Sequence, residues 1–183
     1  MAETELIPPA DPEMAAKLSI NRTGRLTGPQ RRTALIIGGI ALLMLLCPVT
    51  LLVQMAGLLL TSDVPVATVA GVVFLLLGAL FLIIFVGLIW VNVETFLAEA
   101  FMRQPVTVAR GPLEIRVPER QRPELPFSYL VGDYSFAPYV APPDVLMRVG
   151  APYIIYYAAR SRLLLSIAAL DAPDAAQWLP AFE

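Results

Sequence analysis

Two stretches decide the fold: TALIIGGIALLMLLCPVTLLVQMAGLLLTS, residues 33–62, and VPVATVAGVVFLLLGALFLIIFVGLIWVNV, residues 64–93. Neither carries a charged residue, and Asp63 alone separates them. Each is longer than the ~20 apolar residues a helix needs to cross a bilayer. A helix in a soluble core keeps a polar face, and these stretches have none. They read as two transmembrane helices, about 33–60 and 65–91. The second extends to about 102, because Gln104 precedes Pro105 and that position disfavours helix. Residues 33–103 are thus expected to be a membrane α-helical hairpin. The first run is twice the length of a signal-peptide core and begins after 32 residues, so it reads as a retained span.

The surrounding composition fits. The chain has 183 residues, 57% hydrophobic and only 15% charged, with no histidine and one cysteine. A typical globular chain is about a quarter charged. Zero His removes Ser-His-Asp and Cys-His catalysis, His-ligated zinc and imidazole switching. One Cys removes disulfide frameworks and Cys-clustered metal sites. The net charge of −2 gives no global basic field for nucleic acid.

Orientation follows from Lys and Arg. Lys17, Arg22, Arg25, Arg31 and Arg32 precede the first run, and Arg103, Arg110, Arg116, Arg120 and Arg122 follow the second. The segment around Asp63 has none. Both termini are therefore expected to be cytoplasmic, as in a bacterial inner membrane. Trp90 falls where an aromatic belt residue belongs.

For a hairpin turning near residue 62, Gly38 and Gly39 would lie opposite Gly87, and Gln54 near Gly71. Gly71 and Gly78 are a heptad apart. Small residues let helix backbones approach, so Gly38, Gly39, Gly71, Gly78 and Gly87, with Gln54, are the candidate packing positions. They serve a contact within the hairpin or between copies. Pro48 offers a kink.

Residues 1–32 contain Pro8, Pro9, Pro12 and Pro29 with mixed charge. They read as a flexible cytoplasmic tail, with a short amphipathic turn near Pro12–Leu18, since Asp11-Pro12 resembles a helix start.

Residues 105–183 differ in kind. They hold eleven of the 17 prolines and all six tyrosines. Val106–Val108 reads as a strand, Gly111-Pro112 as a turn, and Leu113–Val117 as a period-2 strand. Phe127–Val131, Tyr134–Phe136, Tyr153–Ala158 and Leu163–Ile167 read as further strands. Pro143 to Val149 fits a short helix, with Asp144 near its start and Gly150 to stop it. About six strands and one helix suggest a small all-β domain closed as an SH3-like or OB-like barrel, since closure removes exposed edges. A flat sheet lying on the membrane is the alternative. The apolar tail, with Trp178, Leu179 and Phe182, packs back on this domain or docks a partner.

The stretch Gly150-Ala151-Pro152-Tyr153-Ile154-Ile155-Tyr156-Tyr157, followed by Ser161 and Leu164-Leu165-Ser166-Ile167, resembles the hairpin that closes a small C-terminal β-domain in uncharacterised bacterial two-span membrane proteins. Ile155 stands where that pattern has Val, and Ala168 replaces its acidic residue. The resemblance covers about 20 residues plus the two-span architecture. It implies a fold and a topology, and no activity.

No catalytic, cofactor or metal site emerges. Ser128, Ser135, Ser161 and Ser166 lack a His base, and Lys17 is the only lysine. Asp133, beside Gly132, reads as a turn residue. Arg103, Arg110, Arg116, Arg120 and Arg122 are candidate contacts for anionic lipid headgroups. Residues 96–183 carry eight Arg and nine acids, which disfavours nucleic acid as a partner. The expectation is a non-enzymatic membrane protein without cofactor. It would be an accessory, scaffold or assembly subunit presenting its β-domain to other membrane proteins, or to a second copy of itself. The alternatives are a small oligomeric channel or transporter component, and a lipid-binding protein of the membrane surface.

Overall fold

The computed structural model describes residues 8–61, 69–117 and 127–182. The chain divides into two units. One is Arg32–Phe101, and the other joins Met1–Arg31 to Met102–Glu183.

The first unit is helical. Helix α2 runs from Gly28 to Thr61 and helix α3 from Val69 to Phe101, after the short helix α1 (Pro12–Asn21) of the other unit. Both are long and apolar enough to cross a membrane. At 1.5 Å per residue, 34 residues make roughly 50 Å. Helix α2 continues through Pro48. Apolar side chains cover the outside: Leu43 and Phe81 are each 67% exposed. A water-soluble helix pair would bury such residues.

The second unit is an open five-stranded antiparallel sheet with a helix against it. The strands are β1 (Val106–Arg116), β2 (Ser128–Val131), β3 (Tyr134–Phe136), β4 (Pro152–Ala158) and β5 (Leu164–Ala169). Their order is β3-β2-β1-β4-β5, and the sheet does not close. The expected SH3-like or OB-like barrel is therefore corrected to an open sheet. Helix α1 (Pro12–Asn21) packs against β5.

The expected turn at Gly111-Pro112 is absent, and one 11-residue strand replaces two short ones. The first part of β1 pairs with β4, from Val106↔Ala158 to Pro112↔Pro152, and the last part with β2, from Leu113↔Val131. Pro112 and Pro152 lack N–H groups, and beyond them the Leu113 N–H donates to the Ala151 carbonyl and the Gly150 N–H to the Leu113 carbonyl, each at 2.8 Å. A Cβ on Gly111 would stand 2.9 Å from the nitrogen of Gly132. Glycine thus admits the β2–β3 turn beside the strand.

The flexible tail is also corrected over its described part. Asp11 caps α1, its carboxylate accepting from the Glu13 N–H at 3.1 Å, with Pro12 in the first turn. The helix buries Met14, Leu18 and Asn21. Thr27 and Gln30 then form a reciprocal capping box at the start of α2. The Gln30 amide also donates to the Leu165 carbonyl at 3.0 Å.

Helix Pro143–Val149 does not form. A 3-10 turn at Pro138–Val140 precedes irregular backbone up to Gly150. The Tyr153 hydroxyl donates to the Leu146 carbonyl at 2.7 Å and accepts from the Arg148 N–H at 2.8 Å. One side chain thus takes up backbone groups that a helical turn would have paired. Tyr153, Ile154, Ile155 and Tyr156 are all fully buried, as in a central strand covered on both faces.

Candidate functional site

The β4–β5 hairpin and the β2–β3 turn build the most specific cluster. Tyr134 stacks on Tyr157 with ring centroids 4.4 Å apart. The Arg162 guanidinium carbon lies 5.4 Å from the Tyr134 centroid and 5.0 Å from that of Tyr157, within cation–π range. The Tyr134 hydroxyl donates to the Arg162 carbonyl at 2.7 Å, and Arg162 donates to the Asp133 carbonyl at 3.1 Å. Arg162 adopts φ +54°, a left-handed conformation unusual outside glycine. Burial pushes the Tyr134 hydroxyl up to about 12, partly opposed by the Arg162 charge. Tyr134 also contacts Phe136, which meets Tyr129, which meets Phe127. The chain of rings fastens β2 and β3 to β4. The tyrosine-rich composition was the sequence signal for it, but its pairing through the Arg162 turn depends on residues far apart in sequence.

The C-terminal apolar residues divide. Trp178 is buried; its indole N–H donates to Asp174 at 2.8 Å and its carbonyl accepts from the Tyr156 hydroxyl at 2.5 Å. Phe182 packs at the core margin beside Gly24. The Ala181 N–H donates to the Arg22 carbonyl at 2.8 Å. Leu179 alone of the three is exposed.

The helix-packing positions also divide. A Cβ on Gly38 would stand 2.7 Å from the Leu97 side chain. Gly38 therefore faces a position ten residues beyond Gly87. The expected pairing with Gly87 is corrected: a Cβ on Gly39 or Gly87 would meet nothing within 4 Å. The expectation assumed equal depths about residue 62, whereas Gly38 meets Leu97. Gln54 is exposed and Gly78 half-buried, while Gly71 lies where only the α3 backbone is described. Thr50, Asn92 and Thr95 bond the backbone of their own helices. Thr50 donates to the Cys47 carbonyl at 2.8 Å, and Asn92 to that of Leu88 at 2.9 Å.

Of the arginines, Arg103, Arg110 and Arg116 are exposed, whereas Arg120 and Arg122 lie outside the described residues. Arg116 ends β1, ten residues from Val106, or roughly 33 Å for an extended strand.

A groove of about 330 Å³ opens between α1, residues 140–144 and the start of β5. Its rim carries Asp11, Glu13, Lys17 and Asp144, with Lys17 and Glu13 paired at 2.7 Å. The exposed Val140 is part of its lining, and in the same irregular segment Tyr139, 86% exposed, Leu146 and Val149 are exposed as well. Among the described residues, no three or more His, Cys, Asp or Glu come together in a way that could hold a metal ion. Comparison with known proteins finds no matching family model, no matching curated protein and no matching solved structure.

Proposed function

We propose that this chain is a non-enzymatic integral membrane protein. Its two apolar helices cross the bilayer as a hairpin with both flanks cytoplasmic. Its β-unit is presented for contact with another protein, as an accessory or assembly subunit of a membrane complex. The observation that carries this reading is the exposed apolar segment around Tyr139, Val140, Leu146 and Val149, flanked by the charged groove rim. Large apolar side chains left exposed in one segment beside charged ones favour an interaction site. The outward apolar faces of α2 and α3 support the membrane hairpin. The Thr50 hydroxyl and one Asn92 N–H are taken up by backbone carbonyls of their own helices, which weighs against a polar pore lining.

The test is purification of the full chain from its native membrane in mild detergent. A stoichiometric partner is expected, and it should be lost from Tyr139→Ala plus Val149→Glu chains that still fold. A partner-free chain, or one that keeps its partner with both substitutions, would overturn the reading.

A further inference from the structure

The β-unit is polarised in charge, and the polarity runs along its strands. At one end, three sequence segments meet. The Ala159 N–H donates to the Pro105 carbonyl at 2.8 Å. Gly24 lies beside Gln104, a Cβ there being 3.5 Å from its side chain. Gln30 reaches the Leu165 carbonyl. Residues 22–31, 102–105 and 158–165 hold six arginines and no acid. Arg25, Arg103, Arg160 and Arg162 among them are exposed, as is the apolar Leu163 in the β4–β5 turn. Two acids border it: Asp133, whose carbonyl binds Arg162, and the buried Glu99, four residues before Arg103.

At the other end, three different segments meet. The Ala10 N–H donates to Asp174 at 3.1 Å, and Asp11, Asp144 and Asp174 line one small cavity. Residues 8–13, 142–151 and 169–174 hold five acids and a single arginine, Arg148.

The basic end is also where the chain passes into the apolar helices. Arg31 is bonded directly to Arg32, and four residues join Phe101 to Val106. That linker spans at most about 18 Å, so covalent connection alone keeps the basic end within reach of the headgroup layer.

We infer that this end, with Arg25, Arg103, Arg160 and Arg162 around Leu163, is a docking surface for anionic lipid headgroups, and that the acidic end faces away from the bilayer. The inference rests on the membrane reading above. It moves the lipid contact away from Arg116, which lies at the far end of β1. The partner is a lipid surface, because the patch combines cationic side chains with an exposed leucine at the end of the β-unit from which the chain continues into the apolar helices. Tyr134 holds the turn that carries two of the arginines and the leucine, by its bond to the Arg162 carbonyl.

The test uses the full chain, Cys47→Ser, in nanodiscs of phosphatidylcholine with or without phosphatidylglycerol. An environment-sensitive dye is placed singly at Leu163→Cys, Val117→Cys or Ile84→Cys, and quenching by spin-labelled lipids is read. The Leu163 dye should be quenched several-fold more by headgroup spin labels than the Val117 dye. The excess should rise with phosphatidylglycerol, fall with salt, and vanish in Arg25→Glu plus Arg160→Glu chains. The Ile84 dye separates the two readings. If acyl-chain spin labels do not quench it, the membrane hairpin itself fails. If they do, and the Leu163 and Val117 dyes respond alike, the docking surface alone is overturned.

Discussion

The side-chain amide of Asn21 donates to the Ser166 hydroxyl at 2.8 Å, and both residues are buried. This bond joins α1 to β5 across 145 residues of sequence and makes the N-terminal helix part of the β-unit. The second amide atom, Asn21 Oδ1, has no hydrogen-bond partner. Removing one partner of a buried bond costs about 1–3 kcal/mol. Asn21→Ala and Ser166→Ala are each expected to destabilise the unit by about that amount, and the double variant by clearly less than their sum. Thermal melts followed by Trp178 fluorescence in a Trp90→Phe background measure all three. Strict additivity would mean that the bond contributes nothing and that Met14 and Leu18 dock the helix.

Gly132 has φ +60°, and a Cβ there would lie 2.6 Å from the Arg110 carbonyl oxygen. Gly150 has φ +86° with nothing within 4 Å of such an atom. The pair separates backbone strain from crowding. Gly150→Ala is expected to cost the left-handed penalty alone, about 1–2 kcal/mol. Gly132→Ala adds a clash with backbone that cannot rotate aside, so its cost should be larger. The same melts rank the two variants, and equal costs would refute the close approach of the β2–β3 turn to β1.

The parts of this fold that were legible in the sequence are local ones. The lack of charge over residues 33–62 and 64–93 is a property of each stretch alone, and two long apolar helices follow. Most strands could be read from alternation. Most misreadings share one cause, which is dependence on residues distant in sequence. Gly111-Pro112 has turn chemistry, but here it marks where β1 changes partner. The exception is local: Pro143 and Gly150 are sound helix signals, but the Tyr153 hydroxyl, five and seven residues from its partners, captures the backbone between them. The mixed-charge N-terminal segment looks unstructured until Leu18 and Asn21 find β5. The charged ends of the β-unit were hidden for the same reason, since each is assembled from three separated segments.

Tyr134 gives the β-unit an alkaline limit. Burial raises its hydroxyl from 10.0 to about 12. Between those values the unfolded chain loses the proton while the folded state keeps it. Its contribution to stability is therefore complete below pH 10 and is lost as pH rises toward about 12. Burial raises Tyr153 as well, so part of the slope belongs to that residue. Tyr134→Phe should flatten the fall in stability above pH 10 without abolishing it. It should also lower stability near neutrality by about 1 kcal/mol through loss of the bond to Arg162. An unchanged alkaline slope would show that Tyr134 titrates as an ordinary exposed phenol.

The contact of Gly38 with Leu97 makes the hairpin seam testable. A Cβ on Gly38 would lie 2.7 Å from the Leu97 side chain and 3.4 Å from its backbone nitrogen. Leu97 can rotate only partly out of the way, because its backbone is held in α3. Overpacking of this kind costs about 1–3 kcal/mol, so Gly38→Ala should lower the resistance of the helix pair to sodium dodecyl sulfate. Leu97→Ala opens the space that the added methyl needs, so the double variant should recover much of the loss made by Gly38→Ala. Gly39→Ala and Gly87→Ala should leave the pair unchanged, because nothing lies within 4 Å of either. Far-ultraviolet circular dichroism during the detergent titration reads all of these chains. Loss of stability at Gly87 but not at Gly38 would restore the register set by a turn near residue 62 and remove the one at Leu97.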